Sequence, residues 1–238
     1  MATKKYAVLL GLAIATGGWV LGGCLDNDRS FVIMWAQPTF ESDCELPGPQ
    51  GVDGAGFLTT GLLDLAFYTE PSYFLIIQAN NYIVNNTDEE IDEVNSRDIF
   101  LERIEIGYRW LRNRDLIASG YPGLLEIENE GRKIPISGTV SAAASMDDPG
   151  QVVMSIPQAI PTSIGVQLAD LSEQDAELVV FGIKVKLVGS TRGGSKVESN
   201  TFLFPIQLCV GCHACPGGGT YETCIPGQDD FSCAANDT

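Results

Sequence analysis

The sequence predicts an all-β fold: an antiparallel β-sandwich with immunoglobulin-like packing, one short helix and a disulfide-rich C-terminal extension. Three observations lead to this prediction. Several segments alternate apolar and polar residues with a period of two, which is typical of strands that bury one face. Glycines and prolines separate these segments at short intervals. Five of the seven cysteines lie within the last 30 residues, where there are few apolar side chains.

Two strands are predicted in the first part of the chain. Ser30–Ala36 is apolar and predicts the first strand. Prolines and glycines between 47 and 56 then predict a loop. Tyr73–Val84 is rich in β-branched and aromatic residues, with polar residues only in its second half, and predicts a second strand.

An acidic stretch at 88–93 separates this strand from the next element. Together with Asp98, its carboxylates are a candidate Ca²⁺ site, because Ca²⁺ prefers oxygen ligands. The stretch lacks the glycine-centred alternation of an EF-hand loop, so we favour a solvated loop.

The clearest alternation lies between 103 and 110. Apolar side chains occupy the even positions, and charged residues or glycine occupy the odd positions. This pattern predicts a half-exposed strand of an antiparallel sheet. Two shorter strands are predicted around Ile134–Val140 and at Val152–Ile156, on either side of a loop that contains glycine and proline.

Only one helix of more than two turns is predicted, over Ile164–Glu177. It places Ile164, Leu168 and Leu171 on one face, and either Thr162 or Ser163 is suited to cap its N-terminus.

A hairpin is predicted after this helix. Residues alternate from Val179 to Leu187, Gly193-Gly194 forms the turn, and the partner strand extends over Val197–Leu208. About eight short strands with little helix favour the antiparallel sandwich.

The N-terminus has the layout of an export signal. Lys4 and Lys5 give a basic start, an apolar stretch follows from 7 to 21, and small residues precede Cys24. A membrane-spanning helix over 6–23 is the alternative. It is disfavoured because the run contains five glycines and is shorter than the roughly 20 residues needed to cross a bilayer.

The sequence Leu21-Gly22-Gly23-Cys24 resembles the lipobox of bacterial exported lipoproteins. The resemblance implies cleavage after Gly23 and attachment of diacylglycerol to the Cys24 thiol. An export signal of this kind implies export through the general secretory route. Leu25, rather than aspartate, follows the cysteine, and by resemblance to the enterobacterial sorting rule this implies anchoring in the outer membrane.

These features divide the chain into a signal peptide (1–23), a lipidated tether (24–30), a β-sandwich domain (31–208) and a Cys-rich disulfide cap (209–238). Removal of the signal leaves 12 Lys and Arg against 31 Asp and Glu, a net charge of −19. This acidity argues against nucleic acid as a partner, because phosphate binding needs clustered Lys and Arg. The expected partners are the membrane, through the lipid anchor, and other envelope proteins.

Six cysteines remain once Cys24 carries the lipid. They are Cys44, Cys209, Cys212, Cys215, Cys224 and Cys233. An even number in an exported protein predicts three disulfides. If all six are paired, at least one of the five tail cysteines bonds outside the tail, and Cys44 is the only candidate within the chain.

The segment Cys209-Val210-Gly211-Cys212-His213 also matches the attachment motif of c-type haem. A membrane-tethered monohaem cytochrome that uses Cys209, Cys212 and His213 is therefore the alternative function. We favour disulfides and expect no cofactor or metal, because Cys215 extends the cysteines to a run of three and the motif leads into glycines instead of a helix. An iron–sulfur or zinc site is disfavoured, since free thiolates do not persist in an oxidising compartment.

Catalytic residues are not predicted. His213 is the only histidine, and the sequence contains no Gly-x-Ser-x-Gly elbow, phosphate loop or His-Glu-x-x-His motif. The sequence therefore predicts a non-enzymatic, lipid-anchored protein of the cell envelope with a structural or protein-interaction role. A carbohydrate- or peptide-binding module is a third alternative, for which the sequence indicates no site.

The lipobox, the strand that includes Phe202–Ile206 and the cysteine-rich tail together resemble the Cys-rich exported lipoproteins of myxobacteria and related deltaproteobacteria. The resemblance covers the signal and the C-terminal third of the chain. It implies location and architecture but no activity.

Mass spectrometry of the intact protein tests these assignments together. We expect residues 1–23 to be absent, diacylglycerol to be present on Cys24, and two hydrogens to be missing for each of the three disulfides. An added haem mass, with a Soret band that survives denaturation, would support the cytochrome instead.

Overall fold

A computed structural model of the chain describes residues 30–37, 57–66, 71–84 and 97–212, and the backbone of 221–223 and 231–233. These residues are mostly in β-strands. The strands are β1 (Phe31–Gln37), β2 (Gly61–Asp64), β3 (Tyr73–Asn81), β4 (Ile99–Arg112), β5 (Arg132–Val140), β6 (Gly150–Ile160), β7 (Val180–Thr191), β8 (Lys196–Glu198), β9 (Phe202–Cys209), β10 (Tyr221–Thr223) and β11 (Phe231–Cys233). The helices are α1 (Arg114–Gly120), α2 (Thr162–Leu168), α3 (Glu173–Leu178) and a 3-10 helix (Pro122–Asn129).

The strands of the described residues form two main sheets. The smaller sheet has the order β1-β3-β6, and the larger has the order β2-β9-β7-β4-β5, with β8 also paired to β7. β10 and β11 pair with each other. Neighbouring strands are antiparallel except β2 and β9, which run parallel from the Gly61–Ile206 pair to the Asp64–Cys209 pair.

Both sheets contribute to one hydrophobic core. The predicted alternation in β4 is confirmed: its even positions from 104 to 110 are buried in this core, and its odd positions are partly or fully exposed. The Tyr108 hydroxyl on β4 donates a hydrogen bond to the Ala159 carbonyl oxygen on β6 at 2.9 Å. Tyr73 of β3 and Phe204 of β9 lie with their ring centroids 6.3 Å apart, which is a second contact between the sheets.

Trp110 and Glu128 hold the 3-10 helix against the end of β4. The Trp110 indole N–H donates to the Leu124 carbonyl at 3.1 Å, and its backbone N–H donates to Glu128 Oε1 at 2.9 Å. Arg114 donates twice to Glu128 Oε2, at 3.0 and 2.9 Å. Burial by itself would raise the pKa of Glu128, but these hydrogen bonds outweigh it and lower the pKa below its ordinary value.

The single helix predicted over 164–177 is wrong: two short helices, α2 and α3, occupy the segment. Ser172 explains the break, because its hydroxyl accepts from the Asp175 N–H at 3.2 Å and so begins a new helix. The predicted caps are also wrong. Thr162 is the first residue of α2, Ser163 is its second, and Pro161 stands at the capping position without a side-chain hydrogen bond.

The predicted hairpin is confirmed at its turn and interrupted in its second strand. Gly194, at φ +79°, donates its N–H to the Thr191 carbonyl at 2.8 Å. The return then divides into β8 and β9, and between them Ser199 accepts the Leu187 N–H through its hydroxyl at 2.9 Å. The described strands number eleven, against about eight predicted.

No helix within the described residues has the length and apolar character needed to span a membrane.

Two helical glycines give a matched test of packing. A methyl group on Gly165 of α2 would overlap the Pro71 carbonyl, whereas one on Gly120 of α1 would meet no atom within 4 Å. We expect Gly165→Ala to lower the free energy of unfolding by about 2 kcal/mol. Gly120→Ala should leave it unchanged or raise it by up to about 1 kcal/mol, because alanine favours the helix. Urea unfolding measures both, and equal losses would contradict the close contact.

Tyr108 gives a pH-dependent test of the contact between the sheets. Burial raises the pKa of Tyr108 to about 12, although Arg132 acts in the opposite direction. The folded state therefore binds the hydroxyl proton more tightly than the unfolded state does. This difference contributes to the free energy of unfolding below about pH 10, and the contribution is lost as the pH rises from about 10 to about 12. We expect Tyr108→Phe to lower the free energy of unfolding at pH 7 by about 1–2 kcal/mol, because the Ala159 carbonyl loses its donor.

The difference between the wild type and Tyr108→Phe should shrink as the pH rises above about 10, since the wild type loses this stability and the variant has none to lose. Denaturant unfolding at a series of alkaline pH values measures it. A difference that stays constant would show that burial does not hold the hydroxyl protonated.

Candidate functional site

A disulfide joins Cys209, the last residue of β9, to Cys212, with their Cα atoms 5.9 Å apart. We call residues 209–212 the cysteine loop. Gly211 within it has φ +70°, a left-handed conformation that glycine adopts without strain. Cys209 is 7% exposed, whereas Cys212 is exposed to solvent. The two residues joined by this bond therefore differ in how easily solvent reaches them.

Asp64, at the end of β2, lies against the cysteine loop and is only 1% exposed. Its Oδ1 accepts the Gly211 N–H at 2.7 Å and the Ala66 N–H at 2.9 Å. The Leu65 N–H donates to the Cys209 carbonyl at 2.8 Å. A carboxylate oxygen of Asp64 and the sulfurs of Cys209 and Cys212 all lie within 4.8 Å of one another. Strand pairing and hydrogen bonds thus hold the loop in addition to the disulfide.

The chemistry of this group depends on its redox state. Two thiolates and a carboxylate are a suitable donor set for a zinc ion, but sulfurs joined in a disulfide are not zinc ligands. In the oxidised state the group is a disulfide beside a buried carboxylate. A thioether-linked haem would also need both of these sulfurs, and the disulfide uses them.

The other predicted cysteine sites fall mostly outside the described residues. Cys24, Cys44, Cys215 and Cys224 lie outside the described residues. The predicted cleavage residue Gly23 and the haem-ligand candidate His213 also lie outside them. Cys233 is described only as a backbone position of β11. With Cys209 and Cys212 paired to each other, three tail cysteines remain, so a bridge from Cys44 to one of them stays a prediction.

The acidic stretch at 88–93 also lies outside the described residues, but its neighbour Asp98 is described. Asp98 Oδ1 accepts the Ala142 N–H at 2.8 Å. The described contact of Asp98 is therefore structural: its carboxylate anchors the segment between β5 and β6.

A row of amide side chains that the sequence did not predict lies on the face of the smaller sheet opposite the core. Gln37 Nε2 donates to Gln78 Oε1 at 2.7 Å, and Gln78 Nε2 donates to Gln151 Oε1 at 3.2 Å, which links β1, β3 and β6. Asn80 Nδ2 donates to the Tyr82 hydroxyl oxygen at 3.2 Å. The polar second half of Tyr73–Val84 is the signal that could have indicated this row, but the cross-strand partners depend on sheet order.

Two buried polar atoms, Oε1 of Gln37 in this row and Nε1 of the nearby Trp35, have no hydrogen-bond partner within the described residues. Trp35 also packs on Phe57, with ring centroids 4.4 Å apart. The amide side chains of the row are thus mostly hydrogen-bonded to one another. Gln37 Oε1 and Trp35 Nε1 are the two buried polar atoms here that lack a partner within the described residues.

Two further features involve charged groups. Lys186 and Lys196 both pair with Glu198, and their hydrogen bonds lower the pKa of Glu198 to about 2.

A cavity of about 210 Å³ lies beside the 3-10 helix and α2, lined by Tyr121, Gln167 and Asp170 among others. The Tyr121 hydroxyl donates to Asp175 Oδ2 at 2.6 Å and lowers the pKa of Asp175. These contacts join neighbouring elements of the fold.

The chain matches no protein-family model and no curated protein. Its function is therefore inferred from its own residues and their contacts.

Proposed function

We propose that the protein is a non-enzymatic, lipid-anchored component of the cell envelope, held at the outer membrane with a structural or protein-interaction role. The observation that carries this proposal is Leu21-Gly22-Gly23-Cys24, placed after two lysines and an apolar stretch. Acylation at Cys24 with more than one chain gives stable anchoring, because each buried methylene contributes about 0.8 kcal/mol and a single chain is marginal.

The start of β1 supports a domain held close to the bilayer. β1 begins at Phe31, seven residues after Cys24. A fully extended chain of this length spans at most about 25 Å. The lipidated tether therefore restricts the folded domain to the region next to the membrane surface.

The proposed architecture of the anchored domain is a β-sandwich with immunoglobulin-like packing. Three observations support it: the core shared by both sheets, the Tyr108–Ala159 hydrogen bond and the Tyr73–Phe204 ring contact. A sandwich with side-chain contacts through its core is a rigid support for an interaction surface.

Three described carboxylates connect segments within the anchored domain. Asp64, Asp98 and Glu128 each accept a backbone N–H from a segment distant in sequence. The Cys209–Cys212 disulfide fits an oxidising compartment outside the cytosol. It also favours the disulfide interpretation over the haem alternative, which needs both thiols.

Substitution of Cys24 tests the anchor. We expect Cys24→Ser to abolish metabolic labelling with radioactive palmitate and to leave residues 1–23 attached, because processing follows acylation of the thiol in lipobox proteins. Cys44→Ser is the matched control: it also replaces a cysteine by serine, but outside the lipobox, and this variant should still be labelled with palmitate. Labelling of Cys24→Ser equal to that of the wild type would overturn the proposal.

A second variant separates anchoring from sorting. Leu25→Asp should retain the label but move the protein to the inner-membrane fraction. Fractionation of the inner and outer membranes measures this. If Leu25→Asp stays in the same membrane fraction as the wild type, the outer-membrane assignment is refuted, but the lipid anchor at Cys24 is not.

A further inference from the structure

We propose that the Cys209–Cys212 disulfide is an exchange site that accepts electrons from an external dithiol. Cys212 is the sulfur that the incoming thiolate attacks, and Cys209 is the leaving sulfur, controlled by Asp64. This inference goes beyond the proposed envelope role and does not depend on the lipid anchor.

The fold does not need this bond. β2 pairs with β9 up to the Asp64–Cys209 pair, and the Leu65 N–H and the Asp64 carboxylate hold the backbone on both sides of the loop. The two cysteines are only three positions apart in sequence. A bridge across so short a loop removes little entropy from the unfolded chain, because the stabilisation grows with loop length. The bond can therefore open while β2 and β9 stay paired.

Burial determines which sulfur is attacked. Cys212 is exposed, whereas Cys209 is 7% exposed and lies at the end of β9. Exchange requires the incoming thiolate to reach the attacked sulfur in line with the bond. Solvent reaches Cys212 more readily than Cys209, so we assign the attack to Cys212, which places the departing charge on Cys209.

The exchange takes place in two balanced steps. The first thiolate of the external dithiol attacks Cys212 Sγ, the S–S bond breaks, and its electron pair leaves on Cys209 Sγ, which then takes up a proton. The second thiolate of this dithiol attacks the sulfur of its own mixed disulfide, and Cys212 leaves as a thiolate that is protonated in turn. In the net reaction the external dithiol is oxidised to a disulfide, and Cys209–Cys212 is reduced to two thiols.

Asp64 opposes the first step until the leaving sulfur is protonated. Its buried carboxylate oxygen lies within 4.8 Å of Cys209 Sγ, so a thiolate there is repelled by a like charge. A poorer leaving group slows exchange. Once protonated, Cys209 can donate to the Leu63 carbonyl oxygen, which lies 3.6 Å from its sulfur. Asp64 thus slows exchange at this site, and the site still accommodates the reduced thiol.

Partial reduction of the folded, full-length protein tests the proposal. The protein is treated with limiting dithiothreitol without denaturant, free thiols are alkylated at timed intervals, and the modified cysteines are identified by peptide mapping. We expect Cys209–Cys212 to be reduced at least about tenfold faster than the two disulfides predicted among Cys44, Cys215, Cys224 and Cys233, because Cys212 is exposed and its loop is otherwise held. Reduction at the same rate as the others, or only in denaturant, would overturn it.

Two carboxylate variants test the part played by Asp64. Asp64→Asn keeps an oxygen that accepts the Gly211 N–H but removes the charge, and we expect reduction to be several-fold faster. Asp98→Asn is the matched control, since Asp98 also accepts a backbone N–H and does not belong to the cysteine group. Equal rates for wild type, Asp64→Asn and Asp98→Asn would refute control by Asp64.

Variants that replace one of the two bonded cysteines test which sulfur is attacked, independently of Asp64→Asn. Iodoacetamide should modify Cys212 in native Cys209→Ser, and it should modify Cys209 in Cys212→Ser only after denaturation. Equal modification in the native state would contradict the assigned roles. A thermal melt of each variant confirms that it is folded.

Discussion

The antiparallel pairing of β4 with β7 is the interaction on which the rest of the structure depends. The two strands pair at twelve positions, from Ile99–Thr191 to Arg112–Val180. This register places Ile106 opposite Val185 in the core and Glu105 opposite Lys186 outside it. A slip of one residue would exchange the two faces and bury the charges, so the register is strongly specified. β5 joins one side of the pair and β8 and β9 join the other, while Tyr108 of β4 reaches the second sheet.

The structure is most predictable where one strand carries its own signal. The alternation over 103–110 contains the period and the buried face, so β4 could be derived without its partners. β2 is different: Gly61–Asp64 is four residues long and has no alternation, and only its pairing with β9 makes it a strand. The same limit applies to the site. Cys209 and Cys212 are evident from their spacing, but Asp64 precedes Cys209 by 145 positions, and no local pattern relates them. The division of 164–177 into two helices could not be predicted, because Ser172 is compatible both with the interior of one helix and with the N-cap position of a second helix, where the structure places it.

Carboxylates that are buried or partly buried connect segments of this acidic chain. Glu128 binds the end of β4, Asp98 binds the segment after β5, and Asp64 binds the cysteine loop, each through a backbone N–H that would otherwise need another acceptor. Such bonds to a charged acceptor are stronger than neutral ones. The smaller sheet uses neutral amides in the same way, with Gln78 bonded to both neighbouring strands. Polar contacts therefore fix where loops and strands meet, and the apolar core supplies the driving force.

The parallel pair of β2 and β9 has a consequence for the order of folding. β2 and β9 are far apart in the chain, and in the described sheet order β9 is the strand that borders β2. A contact of such long sequence separation raises the contact order, and the loop it closes has a high entropic cost before any contact compensates. β4 and β7 can pair earlier, because both precede β9 in the chain. We therefore expect β2 to dock among the last strands, so that arrival of Cys209 beside Asp64 marks completion of the sheet.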